Sequence, residues 1–210
     1  MGSAAYDRFL ASTNIDYERW HDGVGYDLDA LRALDPDEHF RAEQWLLARA
    51  GNDWRDLAGL LAIGSDQARA AAVDQLRNGK LEQRLWAATY LADDPSLAAD
   101  REAAAVAGLR TALIYGGLSL ALDIAIAERT PAMIDALFRA CLRDEGEAAV
   151  HAAARLAFIH GKAKEPFDWE LRPLFLRFNT SDRTEREVVF RELCALCAVD
   201  PAPYLGAAAG

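Results

Sequence analysis

The chain has 210 residues, 52% of them hydrophobic and 27% charged, the composition of a folded protein and not of a disordered one. Its 33 acidic side chains outnumber 23 basic ones, for a formal charge of −10. That balance excludes an extended grip on duplex nucleic acid, which depends on a basic surface and counterion release.

The pattern is helical throughout. Alanine is abundant, β-branched runs are missing, and apolar residues recur at i, i+3, i+4 and i+7. In chain order the spacing predicts helices over 5–13, 27–34, 37–50, 53–62, 66–77, 81–92, 100–114, 117–128, 131–143, 146–160, 169–177 and 183–198. Pro36 and Pro131 fall in first turns, and Asn78-Gly79, Asp94-Pro95, Gly116-Gly117 and Gly161 mark breaks. Asp182, three residues before Glu185, resembles a capping arrangement at the start of the last long helix. Gly2 and Ser3 look like an appended remnant and carry no weight in this reading.

The charge-free apolar stretch between Arg110 and Asp123 is twelve residues long. A bilayer crossing takes about 20, so no membrane span is expected. No basic-then-apolar leader opens the sequence, and three cysteines (Cys141, Cys194, Cys197) are an odd count that suits a reducing compartment. The expected address is the cytoplasm. Cys194 and Cys197 form a C-x-x-C, but they sit late in an apolar helical stripe and not at a helix start, so they read as core packing.

A repeat organises the middle of the chain. Leu76-Arg77, Leu109-Arg110 and Leu142-Arg143 recur at intervals of 33 residues. The same spacing aligns Ala88, Ala121 and Ala154, then Leu91, Ile124 and Ala157, and also Leu85, Leu118 and His151. Small columns beside large ones at a fixed period are what stacked helix pairs require, because one pair alone cannot hide its apolar face.

The segments DQARAAAVDQLRNGKLEQRLWAATYL (66–91) and PAMIDALFRACLRDEGEAAVHAAARLA (131–157) resemble units of the HEAT-like (armadillo-type) α-helical repeat family. The resemblance spans roughly 53–160, about half the chain. It implies an all-α fold: a HEAT-like α-α superhelix, or solenoid, of about four to five antiparallel helix pairs with atypical terminal caps. It also implies a general role in binding other macromolecules. Asn78 and Arg84 approximate the family's turn aspartate and following arginine, whereas Thr111/Gly117 and Asp144/Val150 do not. Three segments result: an acidic, aromatic N-terminal helical cap over 1–52, the repeats over 53–160, and a C-terminal helical cap over 161–210.

The most distinctive word is Trp20-His21-Asp22-Gly23-Val24-Gly25-Tyr26-Asp27. It lacks the preceding strand and the lysine or arginine of a phosphate loop, and no nucleophile motif lies near the His21-Asp22 pair. A turn and cap is the plain reading, and a partner-binding surface the functional one. Trp20, His21, Asp22, Tyr26, Asp27, Trp45, Trp86 and Trp169 are the candidate partner-binding residues, since tryptophan and tyrosine are favoured interface anchors. His151 falls in the register of Leu85 and Leu118, and His160-Gly161-Lys162 reads as a helix C-cap. His21 and His39 lack i, i+4 ligand spacing. No catalytic, cofactor-binding or metal-binding set is assigned.

The expected function is therefore a non-catalytic protein–protein interaction module with a basic protein partner. A compact acidic chain of bacterial appearance suits an immunity or antitoxin-like inhibitor, or an adaptor. The alternative is an enzyme of the HEAT-like lyase type acting on a small molecule or a protein-bound chromophore, which would want an exposed reactive thiol or histidine beside a pocket.

Overall fold

The computed structural model describes residues 2–112, 116–143 and 146–206, and all regular structure among them is helical. None of the described helices is long and apolar enough to cross a membrane. The chain divides into two compact units, Met1–Leu97 and Ala98–Gly210. Each unit takes in one of the expected caps together with part of the expected repeat.

The first unit contains α1 (Ala4–Ser12), α2 (Tyr17–His21), α3 (Leu28–Arg32), α4 (Pro36–Leu47), α5 (Trp54–Ile63), α6 (Asp66–Asn78) and α7 (Leu81–Tyr90), ending in a 3-10 turn at Pro95–Leu97. Its first six helices all start the same way. Ser3, Asp16, Asp27, Asp35, Asp53 and Ser65 each accept a backbone N–H of the following turn. Each such cap contributes about 1 kcal/mol by satisfying a donor that the helix leaves open. Ser3 is therefore no idle appendage. Its N–H and hydroxyl also donate to the two carboxylate oxygens of Glu38 at 2.6 Å each, holding that carboxyl below its usual range.

Phe9, Leu31, Ala42, Leu46 and Leu60 are completely buried and form the centre of this unit, where α1, α3, α4 and α5 meet. Gly59 permits the approach of α5 to α4, since a Cβ there would meet both methyls of Leu46 at 3.0 Å. Further along, α4 packs on α5 and α6 on α7, while α4 also touches α6 and α5 touches α7. The connection from α6 to α7 is only Gly79-Lys80, so the two helices double back on each other.

The second unit contains α8 (Ala98–Thr111), α9 (Leu118–Glu128), α10 (Pro131–Ala140), α11 (Gly146–Ile159), α12 (Arg172–Leu176), α13 (Arg183–Cys197) and α14 (Ala202–Leu205). Here α8 packs on α9 and α10 on α11, with α8 against α10 and α9 against α11. Buried Arg101 donates to Glu128 at 2.6 Å, joining α8 to α9. Further on, α12 and α13 both pack against α11. Phe138, Phe190 and Tyr204 form a ring cluster with centroids 5.1–6.2 Å apart, which anchors α14.

Several predicted elements are adjusted. Neither α2 nor α14 was expected, being too short to show a period. The helix expected over 169–177 shrinks to α12, because Asp168 accepts the backbone N–H groups of Lys164 and Glu170 and holds the preceding residues as turns. The end of the helix expected over 100–114 falls partly on 113–114, and Asp144 on 144–145, both outside the described residues. At α13, Asp182 accepts from Thr184 and Glu185 as the capping pattern predicts, but Glu185 takes its own bond from Thr180. Arg84 does not pair with Asn78. It donates to the Leu76 carbonyl at 3.2 Å, while Asn78 bonds Asp74.

Candidate functional site

The candidate residues near the N-terminus divide into an exposed group and a buried one. The exposed group is built on α2. Asp16 caps this helix by accepting the Arg19 N–H at 2.9 Å. Within five residues, Tyr17, Trp20 and His21 stand at i, i+3 and i+4, which places them on one face. The Tyr17 ring lies 6.1 Å from both the Trp20 and the His21 ring, tilted by 32° and 35°. Tyr17 is 74% exposed and Trp20 61%, and α2 buries none of its residues. Asp22 sits at the rim, its carboxylate 3.2 Å from His21 Nδ1.

Gly23 turns the chain out of α2 with a left-handed φ of +66°. There its N–H bonds Trp20 O and the Val24 N–H bonds Arg19 O, so the helix end is satisfied in the manner of a glycine C-cap. Beyond this turn the chemistry changes. Tyr26 is only 8% exposed, and its hydroxyl donates to Asp56 Oδ1 at 2.9 Å. Arg49 Nε donates to the same oxygen at 3.3 Å, with its guanidinium 4.5 Å above the Trp45 ring. Asp56 is fully buried and its second carboxylate oxygen has no hydrogen-bond partner. Burial pushes the Asp56 carboxyl up against the opposing pull of Tyr26 and Arg49. Burial and the Asp56 charge also push the Tyr26 hydroxyl up, so it stays a donor.

Asp27 is occupied too. It accepts the Ala30 N–H at 2.8 Å as the α3 cap and pairs with Arg8 at 2.7 Å, and these bonds hold its carboxyl down. Buried Arg55 completes the tie by donating from Nε to Val24 O at 2.6 Å and from Nη1 to Asp53. Tyr26 and Asp27 therefore fasten the loop to α3 and α5. Arg8, Ser12, Arg19, Tyr26 and Asp27 line a shallow recess of about 340 Å³.

The three remaining candidate tryptophans separate. Trp45 is half-buried, about 6 Å from Phe9 and Tyr26. Trp86 stacks between Trp54 at 4.9 Å and Tyr90 at 5.7 Å, its indole nitrogen buried without a partner. Trp169, in the second unit, is 67% exposed with the Arg172 guanidinium 4.6 Å over its ring. The structure thus brings Trp20, His21 and Asp22 together in one group and Tyr26 and Trp45 in another. Trp86 lies in a stack of its own. Tyr17 was missed by the sequence reading, although Asp16 ahead of it is a capping signal. Asp56, an aspartate inside an apolar stripe, offered no signal at all.

The cysteines are buried, and His151 and His160 are half-buried. Cys141 is completely buried and its thiol is raised well above the ordinary range by desolvation, with Cys194 and Cys197 adding to it. Burial likewise pushes Cys194 up to about 11 and Cys197 to about 12, so these thiols stay protonated at neutral pH. His151, half-buried against Phe167, and His160, edge-on to Phe138, are both lowered, chiefly by burial. Among the described residues no group of three or more His, Cys, Asp or Glu is placed to hold a metal ion.

No protein-family model matches the chain, and neither does any curated protein or solved structure.

Proposed function

We propose that the chain is a cytoplasmic, non-catalytic protein-interaction module of HEAT-like helix pairs, and that its partner is a basic protein. One observation carries the reading. Of the eight exposed large apolar side chains among the described residues, five (Leu10, Tyr17, Trp20, Val24 and Phe40) lie in the first forty residues. Acidic side chains outnumber basic ones there. Apolar groups displayed among acidic ones suit an interface whose charge steers a cationic partner and whose rings hold it. A compact acidic chain of this kind fits an immunity or antitoxin-like inhibitor, or an adaptor.

The internal packing supports the repeat part of the proposal. Within each unit two helix pairs pack like on like, α4 with α6 and α5 with α7, then α8 with α10 and α9 with α11. Leu76 and Leu109 are both completely buried, and each has an arginine donating to its carbonyl, Arg84 at 3.2 Å and Arg143 at 3.0 Å. Ala88, Ala121 and Ala154 are buried as well, and Leu142 is half-buried.

The test is to recover the partner from the native host with the tagged chain, identify it by mass spectrometry, and measure association of the purified pair at low and high salt. A basic partner whose association rate falls steeply with salt is expected. Recovery of no specific partner, or a rate indifferent to salt, overturns the reading.

A further inference from the structure

We propose that the ring face of α2, formed by Tyr17 and Trp20, is the seat for an arginine side chain of the basic partner. This assignment rests on the interaction-module reading above. The argument comes from how the chain treats its own rings. Six aromatic side chains carry an arginine guanidinium over the ring at 4.5–5.7 Å, among them Tyr6 under Arg41, Trp45 under Arg49 and Trp54 under Arg55. The pairing is not reserved for sheltered rings. Trp169 is as exposed as Trp20, and Arg172 covers it at 4.6 Å. Among the described residues, no arginine or lysine lies over Tyr17 or Trp20.

The one arginine on α2 is turned elsewhere, since Arg19 Nη1 donates to Asn14 O at 3.1 Å. Around the face, Asp16, Glu18 and Asp22 stand against that single arginine, so the local charge is negative. A guanidinium laid on the Tyr17 and Trp20 rings would meet the negative faces of two π systems with carboxylates nearby. The tilt of 32° between the rings makes a shallow trough and not a closed stack. Because α2 buries no residue of its own, the face is available without unfolding anything.

The experiment titrates the whole protein with an acetylated hexa-arginine amide and follows the indole N–H signals of its five tryptophans by NMR. Trp20→Phe and Trp169→Phe assign two of the signals. The Trp20 signal is expected to move most, and the neutral hexa-citrulline peptide to leave it still. Tyr17→Ala with Trp20→Ala is expected to weaken hexa-arginine binding about fivefold, as loss of an exposed cation–π seat implies, and Trp169→Ala to change it little.

Other outcomes sink the assignment. A still Trp20 signal, with shifts spread over the acidic surface, means charge attraction alone. An equal response to citrulline means apolar docking. A Trp20 shift on concentrating the protein alone, with a dimer by sedimentation, means that a second copy takes the face. Recovery of a salt-sensitive basic partner that binds the double variant undiminished overturns this seat and leaves the interaction module standing. Failure to recover any basic partner overturns the module itself.

Discussion

The face of α2 and the Tyr26–Asp56 tie lie a few residues apart, draw on the same residue types, and use them in opposite ways. In both, a tyrosine and a tryptophan stand beside a carboxylate and an arginine. On α2 the rings are open to solvent and the arginine points away. At the tie, the Tyr26 hydroxyl and Arg49 Nε share one oxygen of a fully buried Asp56, and Trp45 lies under Arg49. Burial decides the difference. Inside, an aromatic with a polar handle must find a partner, because an unsatisfied hydroxyl or carboxylate there is costly. Outside, no such requirement operates, and an exposed ring adds little to stability.

The largest expected effect breaks the buried member of this comparison. Asp56→Ala leaves the Tyr26 hydroxyl without its acceptor in the core and opens a small cavity, and is expected to cost about 2–4 kcal/mol of stability. Urea unfolding of the variant measures it. A loss below about 1 kcal/mol would show that water already reaches the site and that the tie is loose.

Asp56→Asn sharpens the same point through pH. The folded protein raises the Asp56 carboxyl above its ordinary value of 3.8. A raised carboxyl means that the folded state favours the proton. Its contribution is therefore fully present below 3.8 and is lost as pH climbs through the higher folded value, then stays level. The stability of the native protein minus that of Asp56→Asn should fall as pH rises from below 3.8 toward neutrality, because the unfolded state gives up the proton first. A difference that grows with pH would mean that Arg49 outweighs desolvation. Tyr26→Phe, which deletes one hydroxyl and leaves the ring, is expected to cost about 1 kcal/mol by the same unfolding measurement. It should also reduce the pH dependence of the Asp56 contribution if the two groups are coupled as placed.

These two regions mark what was legible in the sequence. The helical class and most element positions follow from the spacing of apolar residues, and the aligned Leu76 and Leu109 and Ala88, Ala121 and Ala154 are all buried. A five-residue helix has too few positions to show a period, so α2 left only Asp16 as a trace. The word from Trp20 to Asp27 reads as one unit in the sequence, yet Gly23 divides it. Nothing local tells Trp20 from Tyr26, because what buries Tyr26 is Asp56, thirty residues further on. Asp27, read in the sequence as part of a turn and cap or of a partner-binding surface, serves as the helix cap, which short-range spacing to Ala30 allows but does not demand. Trp86, a candidate partner anchor in the sequence, stacks with Trp54 of α5 and with Tyr90 one turn further along α7. Long-range pairing, not composition, decides which aromatics are displayed.

The smallest expected effect carries the other half of the comparison. Tyr17→Ala with Trp20→Ala should leave stability within about 0.5 kcal/mol of the native protein, since α2 buries neither ring and its cap, Asp16, is untouched. Two large aromatics removed with so little consequence would be unusual for a side chain retained only for folding. Calorimetry or urea unfolding gives the number, and the comparison with Tyr26→Phe gives it meaning. If deleting two whole rings on α2 costs less than deleting one hydroxyl at the tie, the α2 face stands apart from the core. If it costs as much, the rings pack against the first unit in solution, and the face is not free for an arginine to occupy.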